Sequence, residues 1–269
     1  MTNNFMDING ARIWYEEAGT GLPVIFVHAG IADHRMWDDQ FHVFAEKHRA
    51  IRFDMRGFGQ SAMVAGPYSM HDDLYALMRA LNVERAALIG CSKGGQTIID
   101  FAVEHPDMVA ALIPVAAGVS GYPYPEDEEY PPLVQQIIAA DQAGDKDRLN
   151  ELEIQLWVDG LQRPAGSVDK AIRDKVLEMN RIALDTPSDL GKETPLEPAA
   201  YERLGDIQAP TLVIYGDLDM PHMGDIATAV AGAIRKARVV CLTGTAHLPN
   251  MERPQDFNDV VLSFLDGVQ

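Results

Sequence analysis

Six short apolar runs, separated by segments of helical periodicity, constrain the fold of this chain more than any other feature of its sequence. Successive positions in each run are apolar, which is typical of a strand buried on both faces of a parallel sheet. Strands that alternate with helices predict parallel pairing through right-handed crossovers. The sequence therefore predicts an open α/β sheet with helices on both faces. The predicted strands are PVIFVHAG (23–30), RAIRFDMRG (49–57), RAALIGCS (85–92), VAALIPVAAG (109–118), PTLVIYGD (210–217) and ARVVCLTG (237–244).

Helix and hairpin signals complete this pattern. Ser69 is the predicted N-cap of one helix, and Pro254 marks the start of the last. The runs NNFMDI and ARIWYEEAG, joined at Asn9-Gly10, predict an N-terminal hairpin. The predicted helices of the core are 36–48, 70–82, 94–105, 224–235 and 254–266.

Segment 120–205 interrupts the alternation. It lies between the proline-rich stretches GYPYPEDEEYPPL and TPSDLGKETPLEP, and no strand candidate appears in it. We interpret residues 1–119 and 206–269 as the core domain, and 120–205 as a helical cap. A long excursion into solvent is the alternative, and the apolar residues of the segment favour the packed cap. Its helical patterns are 132–143, 147–159 and 168–184, and its apolar residues include Leu152, Leu156, Trp157, Ile172, Val176, Leu177 and Met179.

Charge and composition limit the classes of partner. The 269 residues carry a formal net charge of −18 and no basic cluster, which argues against binding to nucleic acid or to anionic membranes. The N-terminal stretch lacks a signal-peptide pattern, and no apolar run reaches the roughly 20 residues that a bilayer requires. We therefore expect a cytoplasmic protein. The two cysteines, Cys91 and Cys241, predict neither a disulfide nor a structural zinc site.

The stretch Gly90-Cys91-Ser92-Lys93-Gly94 carries the chemistry. It fits G-x-S-x-G between a predicted strand and a predicted helix, which is the context of a nucleophile elbow. Side chains at Gly90 and Gly94 would collide in such a turn, and Gly95 lets the helix pack closely. The phosphate-loop patterns G-x-G-x-x-G and G-x-x-x-x-G-K-[ST] are absent at this turn, so a nucleotide site fits poorly.

A nucleophilic serine needs a base, and the base needs an orienting carboxylate. Among the 8 histidines, His247 follows the last predicted strand, where a loop can return to the elbow. Asp217 and Asp219 both follow the strand before it. Asp219 is farther from the strand end and better able to reach His247, so we expect Asp217 to form the turn.

These residues resemble the α/β-hydrolase superfamily over nearly the whole chain outside the cap. VHAG (27–30) resembles its oxyanion turn and FDMRGFGQS (53–61) the loop after the next strand, while GCSKGG, YGDLD and GTAHLPNMERP resemble the elbow, acid and histidine loops. The chain is most similar to small capped bacterial esterase and lactonase-like proteins, including 3-oxoadipate enol-lactonase types. C–C bond hydrolases and cofactor-free perhydrolases are close neighbours. The resemblance implies an eight-stranded, mostly parallel sheet, with Asp54, Arg56 and Ser61 in supporting roles.

The resemblance also implies an oxyanion hole made by the backbone N–H groups of Gly30 and Lys93. Because Ala29 stands where glycine is usual, the choice between the Ala29 and Gly30 amides stays open. Lys93 has two candidate roles: a surface lysine that bends towards solvent, or a pocket cation that attracts a carboxylate-bearing substrate. Candidate pocket residues are His28, Ala29, Tyr122, Tyr124, Trp157 and Met223, although ordinary packing is the commoner role of such side chains.

The expected activity is carboxylic ester or lactone hydrolysis through an acyl-enzyme, without a metal or organic cofactor. Ser92 would be the nucleophile, His247 the base and Asp219 the residue that orients it. A serine at the elbow disfavours haloalkane dehalogenase and epoxide hydrolase chemistry, which use a carboxylate there. Two alternatives stay open: hydrolysis of a C–C bond in a ring-cleavage product, and a ligand receptor with little turnover. The expected partner is a small-molecule substrate, with a homodimer left open.

Overall fold

Ten strands and a series of helices are present in the computed structural model, which describes residues 2–124, 130–187 and 190–268. The strands are β1 (Thr2–Ile8), β2 (Ala11–Ala18), β3 (Pro23–Val27), β4 (Arg49–Phe53), β5 (Gly66–Tyr68), β6 (Ala86–Cys91), β7 (Val109–Val115), β8 (Gly191–Glu193), β9 (Thr211–Gly216) and β10 (Ala237–Leu242). The helices are α1 (Asp38–Ala45), α2 (Met70–Ala80), α3 (Lys93–Glu104), α4 (Pro132–Gln142), α5 (Lys146–Ile154), α6 (Lys170–Asp185), α7 (Met223–Ala233), α8 (Pro249–Glu252) and α9 (Pro254–Leu265).

The main sheet has eight strands in the order β1-β2-β4-β3-β6-β7-β9-β10. Only β2 runs against the others, because it pairs antiparallel with both β1 and β4. The hairpin turn has positive φ at Asn9 (45°) and Gly10 (81°), as its Asn-Gly sequence predicts. The predicted mostly parallel sheet is therefore confirmed, and the carboxyl ends of β3, β6, β7, β9 and β10 meet at one edge.

Alternate residues of the central strands pack into two separate cores, one on each face. Ile25 and Leu88 join the cluster under α2, α3 and α7, while Phe26 and Ile89 join the cluster under α1 and α9. The two-sided burial predicted from the apolar runs is thus present in β3 and β6. It is wrong for β10, where Val239 is 37% exposed, because this strand forms the sheet edge and pairs only with β9.

The absence of a strand in 120–205 is a second wrong expectation. Gly191–Glu193 forms β8, which pairs in parallel with β5 and makes a separate two-stranded sheet. Three residues of sequence GKE carry no apolar periodicity, so this long-range pairing leaves no local signal. Residues 125–129 and 188–189, within the two proline-rich stretches, lie outside the described residues.

The helical segment α4–α6 packs on the rest of the molecule and on itself. Val176 and Met179 are fully buried in the same core as Phe257, and Leu152 packs with Ala140 and Leu149 in a smaller cluster. The described part of the segment is therefore packed and does not form the solvent-facing excursion that was the alternative. No helix among the described residues has the length and apolar character to cross a bilayer.

Candidate active site

Ser92 occupies the sharp turn between β6 and α3. Its φ of 53° and ψ of −114° lie in a region that L-residues rarely adopt. The turn is fixed by a 2.9 Å hydrogen bond from the Ser92 N–H to the carbonyl of Val115. A Cβ at Gly90 would collide with the carbonyl of Gly94, and one at Gly94 with the carbonyl of Val27. The predicted need for both glycines is therefore confirmed.

Substitution of Gly94 by alanine should destabilise the fold by about 2–3 kcal/mol, because backbone atoms of β3 cannot move aside for the new methyl group. Gly232→Ala is the matched control. Gly232 lies in α7 with open space around it, so a methyl group there should add about 0.5–1 kcal/mol of stability. Urea unfolding of both variants measures the effect. A Gly94→Ala protein as stable as the wild type would contradict this account of the elbow.

Asp219 and His247 form a buried pair at the same edge of the sheet. Asp219 follows β9 and His247 follows β10, and Nδ1 of the imidazole lies 2.7 Å from Oδ2 of the carboxylate. The other carboxylate oxygen accepts a 2.7 Å bond from the N–H of Met220, which fixes its orientation. Asp217 instead accepts a 2.6 Å bond from the N–H of Gly244 and holds the two loops together. The structure thus pairs His247 with the aspartate that the sequence favoured.

The histidine loop also reaches the nucleophile elbow. The thiol of Cys91, the residue before Ser92, lies 3.5 Å from the carbonyl oxygen of His247. Cys91 is completely buried, and burial raises the pKa of its thiol well above the ordinary range, so it stays protonated. Ser92, Asp219 and His247 therefore all lie at one edge of the sheet, after β6, β9 and β10 respectively.

The turn after β3 faces the start of α3. Gly30 lies next to Lys93: a Cβ built on the glycine would be 3.6 Å from the Lys93 Cβ. The N–H of Ala29 points elsewhere, to the sulfur of Met36 at 3.2 Å. Since that amide is engaged, the geometry favours Gly30 over Ala29 as a free donor beside the elbow.

His28 and Ala29 support this turn from behind, because both are completely buried. The imidazole bridges two segments: its Nε2 accepts a 2.9 Å bond from the N–H of Met55, and its Nδ1 lies 2.8 Å from the Ala29 carbonyl. Burial lowers the pKa of His28, which favours the neutral ring that these two bonds require. Neither side chain presents a surface to a ligand, so the expectation that His28 and Ala29 line a substrate pocket is wrong.

The loop after β4 is a hydrogen-bonded support. Asp54 accepts bonds from the N–H groups of His34 and Gln60, both at 2.8 Å, and Ser61 donates its hydroxyl to the Asp54 carbonyl. Arg56 makes a bidentate pair with Asp73. Of the described residues, Asp33, His34 and Asp54 alone bring three ligand-type atoms within 4.8 Å. Since these groups already bond one another, Arg35 and the backbone, the site fits a structural network better than a metal ion.

Part of the helical segment touches the histidine directly. The Trp157 ring lies 4.5 Å from the imidazole of His247, and the Trp157 carbonyl accepts a bond from the His247 N–H. Trp157 lies on a turn of π-helix, Gln155–Asp159. The chain then turns at Gly160, where a Cβ would collide with the Leu218 carbonyl of the acid loop. Arg163 adds a 2.7 Å ion pair to Glu252, at the end of α8 within the histidine loop.

The Lys93 side chain is 31% exposed and also lines a cavity beside Gly30, so the two roles expected for it both stay open. Its ammonium group makes a 2.6 Å ion pair with Glu193 of β8, so it connects the elbow to the end of the helical segment. Tyr122 packs with Tyr124 and Tyr201, and Met223 is buried in the core under α7.

A cavity of about 340 Å³ opens beside Gly30 and Lys93, between the core and α5–α6. Sequence reasoning missed most of its wall, including the carboxylic side chain of Glu153. A polar residue within a helical pattern gives no local signal that it faces a ligand cavity. The described residues that line the cavity are Gly30, Ile31, Gly57, Phe58, Met63, Tyr68, Lys93, Glu153, Asn180, Ala183, Leu184, Thr186, Pro187 and Gly191.

This sheet topology, with a strained serine after β6 and an aspartate–histidine pair after β9 and β10, defines the class of α/β hydrolases. A sequence model of the alpha/beta hydrolase fold matches residues 23–254, and the chain belongs to that family.

Known proteins resemble nearly the whole chain. The 2-hydroxy-6-oxo-6-(2'-aminophenyl)hexa-2,4-dienoic acid hydrolase of Metapseudomonas resinovorans is 25% identical over 268 residues, covering 97% of this chain and 90% of the relative. The enol-lactonase from Burkholderia xenovorans LB400 superposes with a TM-score of 0.76 at 24% identity, covering 98% of this chain and 100% of its own. Est816, an N-acyl homoserine lactone degrading enzyme, superposes with a TM-score of 0.75 at 25% identity, covering 97% and 100%.

Proposed function

We propose that this hydrolase cleaves a carboxylic ester or lactone of a small molecule through an acyl-enzyme on Ser92. The observation that carries the proposal is the 2.7 Å bond between Asp219 and His247, formed at the sheet edge where Ser92 occupies a strained backbone conformation. Both members of the pair are buried, at 3% and 4% exposure, so water weakens their interaction little. Residues 120–205 would then form the cap over a core of 1–119 and 206–269.

In the proposed mechanism, His247 removes the proton of the Ser92 hydroxyl as the oxygen attacks the carbonyl carbon. Asp219 holds the proton on Nδ1, which leaves Nε2 free to act as the base, and stabilises the imidazolium that forms. His247 then protonates the leaving alcohol. Water, activated by the same histidine, attacks the acyl-enzyme and releases the acid.

The oxyanion would be held by the backbone N–H groups of Gly30 and Lys93. The adjacent positions of these residues and the start of α3 support this assignment. Donors fixed before the reaction stabilise the tetrahedral intermediate without reorganisation, and each is worth about 3–4 kcal/mol of the barrier. The partial positive charge of the helix N-terminus acts in the same direction.

C–C bond hydrolysis is the second candidate, and it is favoured by one specific observation. The relative from Metapseudomonas resinovorans acts, by its name, on a 2-hydroxy-6-oxo-dienoic acid, and it matches 97% of this chain. Est816, which is described as degrading a lactone and is also 25% identical to this chain, favours lactone hydrolysis. Both reactions use a nucleophile and an oxyanion hole at a carbonyl carbon. Which of the two reactions occurs therefore depends on which substrate the cavity binds.

A substrate panel separates these functions. We expect turnover of p-nitrophenyl butyrate and of a γ-lactone, measured by chromophore release and by pH-stat. A 2-hydroxy-6-oxo-6-phenyl-dienoate, assayed by loss of its absorbance, should be cleaved more slowly than the best ester. Faster cleavage of the dienoate would establish the C–C hydrolase instead. Stoichiometric labelling of Ser92 by a fluorophosphonate without sustained turnover of any substrate would identify a receptor.

A further inference from the structure

Glu153, on α5, lines the same cavity as Gly30. Its position is fixed by a chain of side-chain amides. The Asn180 amide donates to Glu153 Oε2 at 2.7 Å and to Asn150 at 3.0 Å, and Asn150 donates in turn to the carbonyl of Leu177. Asn180 is 2% exposed, so this chain is not loosened by water. The carboxyl group is therefore a fixed part of the cavity wall.

The cavity offers no free positive charge to balance this carboxyl group. Among the described residues of its wall, Lys93 is the one cation, and its ammonium group already pairs with Glu193 at 2.6 Å. The chain as a whole carries a net charge of −18, which adds a negative background. Burial and the nearby charge of Asp141 raise the pKa of Glu153, while the bond from Asn180 opposes the shift. Burial and Asp141 thus both act against a negative charge at this position.

We propose that Glu153 is a specificity-determining residue that restricts the cavity to uncharged esters or lactones and excludes substrates that carry a carboxylate. The inference rests on the proposed hydrolase function, because it assigns the cavity beside Gly30 and Lys93 to the substrate. A second carboxylate brought into this wall would lie near Glu153, while the one cation of the described wall is already paired with Glu193, and like charges in a partly desolvated site repel strongly. The relative from Metapseudomonas resinovorans acts on an acid by its name, so the specificity proposed here differs from the one that this name implies.

Matched ester pairs test the exclusion at about pH 8, several units above the ordinary pKa of a glutamate carboxyl group. One pair is p-nitrophenyl valerate and mono-p-nitrophenyl glutarate, which differ only by a carboxylate in place of the terminal methyl group. The other is phenyl valerate and 4-carboxyphenyl valerate, which places the charge on the leaving group. The measured quantity is the ratio of kcat/KM for the anionic ester to that for the neutral ester.

Glu153→Gln keeps the size of the side chain and an oxygen for Asn180, so the variant should fold; its melting temperature checks this. In at least one pair we expect the anionic-to-neutral ratio to rise about tenfold or more. Glu84→Gln is the matched control, because Glu84 is exposed and precedes β6 at the end remote from Ser92. It removes the same charge from the chain and should leave both ratios unchanged. Unchanged ratios in Glu153→Gln, or a wild type that prefers the anionic esters, would overturn the proposal.

A binding measurement keeps this test independent of turnover. Titration calorimetry of Ser92→Ala with the same esters should show a lower Kd for the neutral member of each pair. In the double variant Ser92→Ala/Glu153→Gln, the Kd values of the neutral and anionic members should lie closer together. If the wild type hydrolyses no ester, the proposed function fails while this comparison still decides the role of Glu153. Equal binding of the two members, or no binding of the neutral ester, would refute the exclusion.

Discussion

Replacing Ser92 with alanine is expected to lower kcat/KM for p-nitrophenyl butyrate by at least about 10³-fold. The hydroxyl is the only group lost, and its oxygen is the proposed attacking atom. The backbone at Ser92 is held by a bond to Val115 and by the neighbouring glycines, which the substitution leaves in place. Circular dichroism and the melting temperature should therefore stay close to those of the wild type.

Ser263→Ala provides the control for this variant. Ser263 is exposed on α9, away from the edge where Ser92 lies, so its removal should change the rate by less than twofold, about the scatter of such assays. Intact-mass analysis after fluorophosphonate treatment should show one adduct on the wild type and on Ser263→Ala, and none on Ser92→Ala. A folded Ser92→Ala protein that keeps most of its activity would refute the nucleophile.

Replacing Asp219 with asparagine is expected to lower kcat by about 10³–10⁴-fold, the second large effect. An asparagine of the same shape can donate to the imidazole, which places the proton of His247 on the wrong nitrogen and removes the charge that stabilises the imidazolium. The 2.7 Å bond between Asp219 and Nδ1 shows the contact that the substitution alters. Steady-state kinetics with a neutral ester measure the loss.

Asp217→Asn is the matched variant, two residues away in the same loop. Its carboxylate bonds the N–H of Gly244, so the substitution should lower the melting temperature slightly while kcat falls less than about tenfold. A large loss of kcat in Asp217→Asn with little change in Asp219→Asn would reverse the assignment of the acid. Equal losses in both would indicate that loop structure, and not the orientation of the imidazole, controls activity.

Local sequence patterns were sufficient to predict most of the core of the fold. The buried runs around Ile25 and Leu88 have the apolar signature of parallel strands, and the Asn9-Gly10 turn has the residues that positive φ requires. Ser69 caps α2 as predicted, since its hydroxyl accepts a bond from the N–H of Asp72. The need for glycine at Gly94 could also be foreseen, because the G-x-S-x-G pattern implies close backbone contacts.

Contacts between distant segments could not be predicted. Lys93 and Glu193 are separated by 100 residues, and nothing near either position indicates their ion pair. The same holds for Glu153, which reads as an ordinary polar position of a cap helix, and for the pairing of β5 with β8. The exposed β10 was misjudged because an apolar run does not show whether a strand has one neighbour or two.

The bond between the Trp157 carbonyl and the His247 N–H has a consequence for protein engineering. Replacing the helical segment with one from another protein would remove the backbone that holds His247, the proposed general base, and the guanidinium that binds Glu252. Residues 157–163 should therefore be transplanted with the scaffold, and chimaeric junctions placed outside them. The part of the chain open to exchange would then be α4, because α6 buries Val176 and Met179 in the core of the molecule.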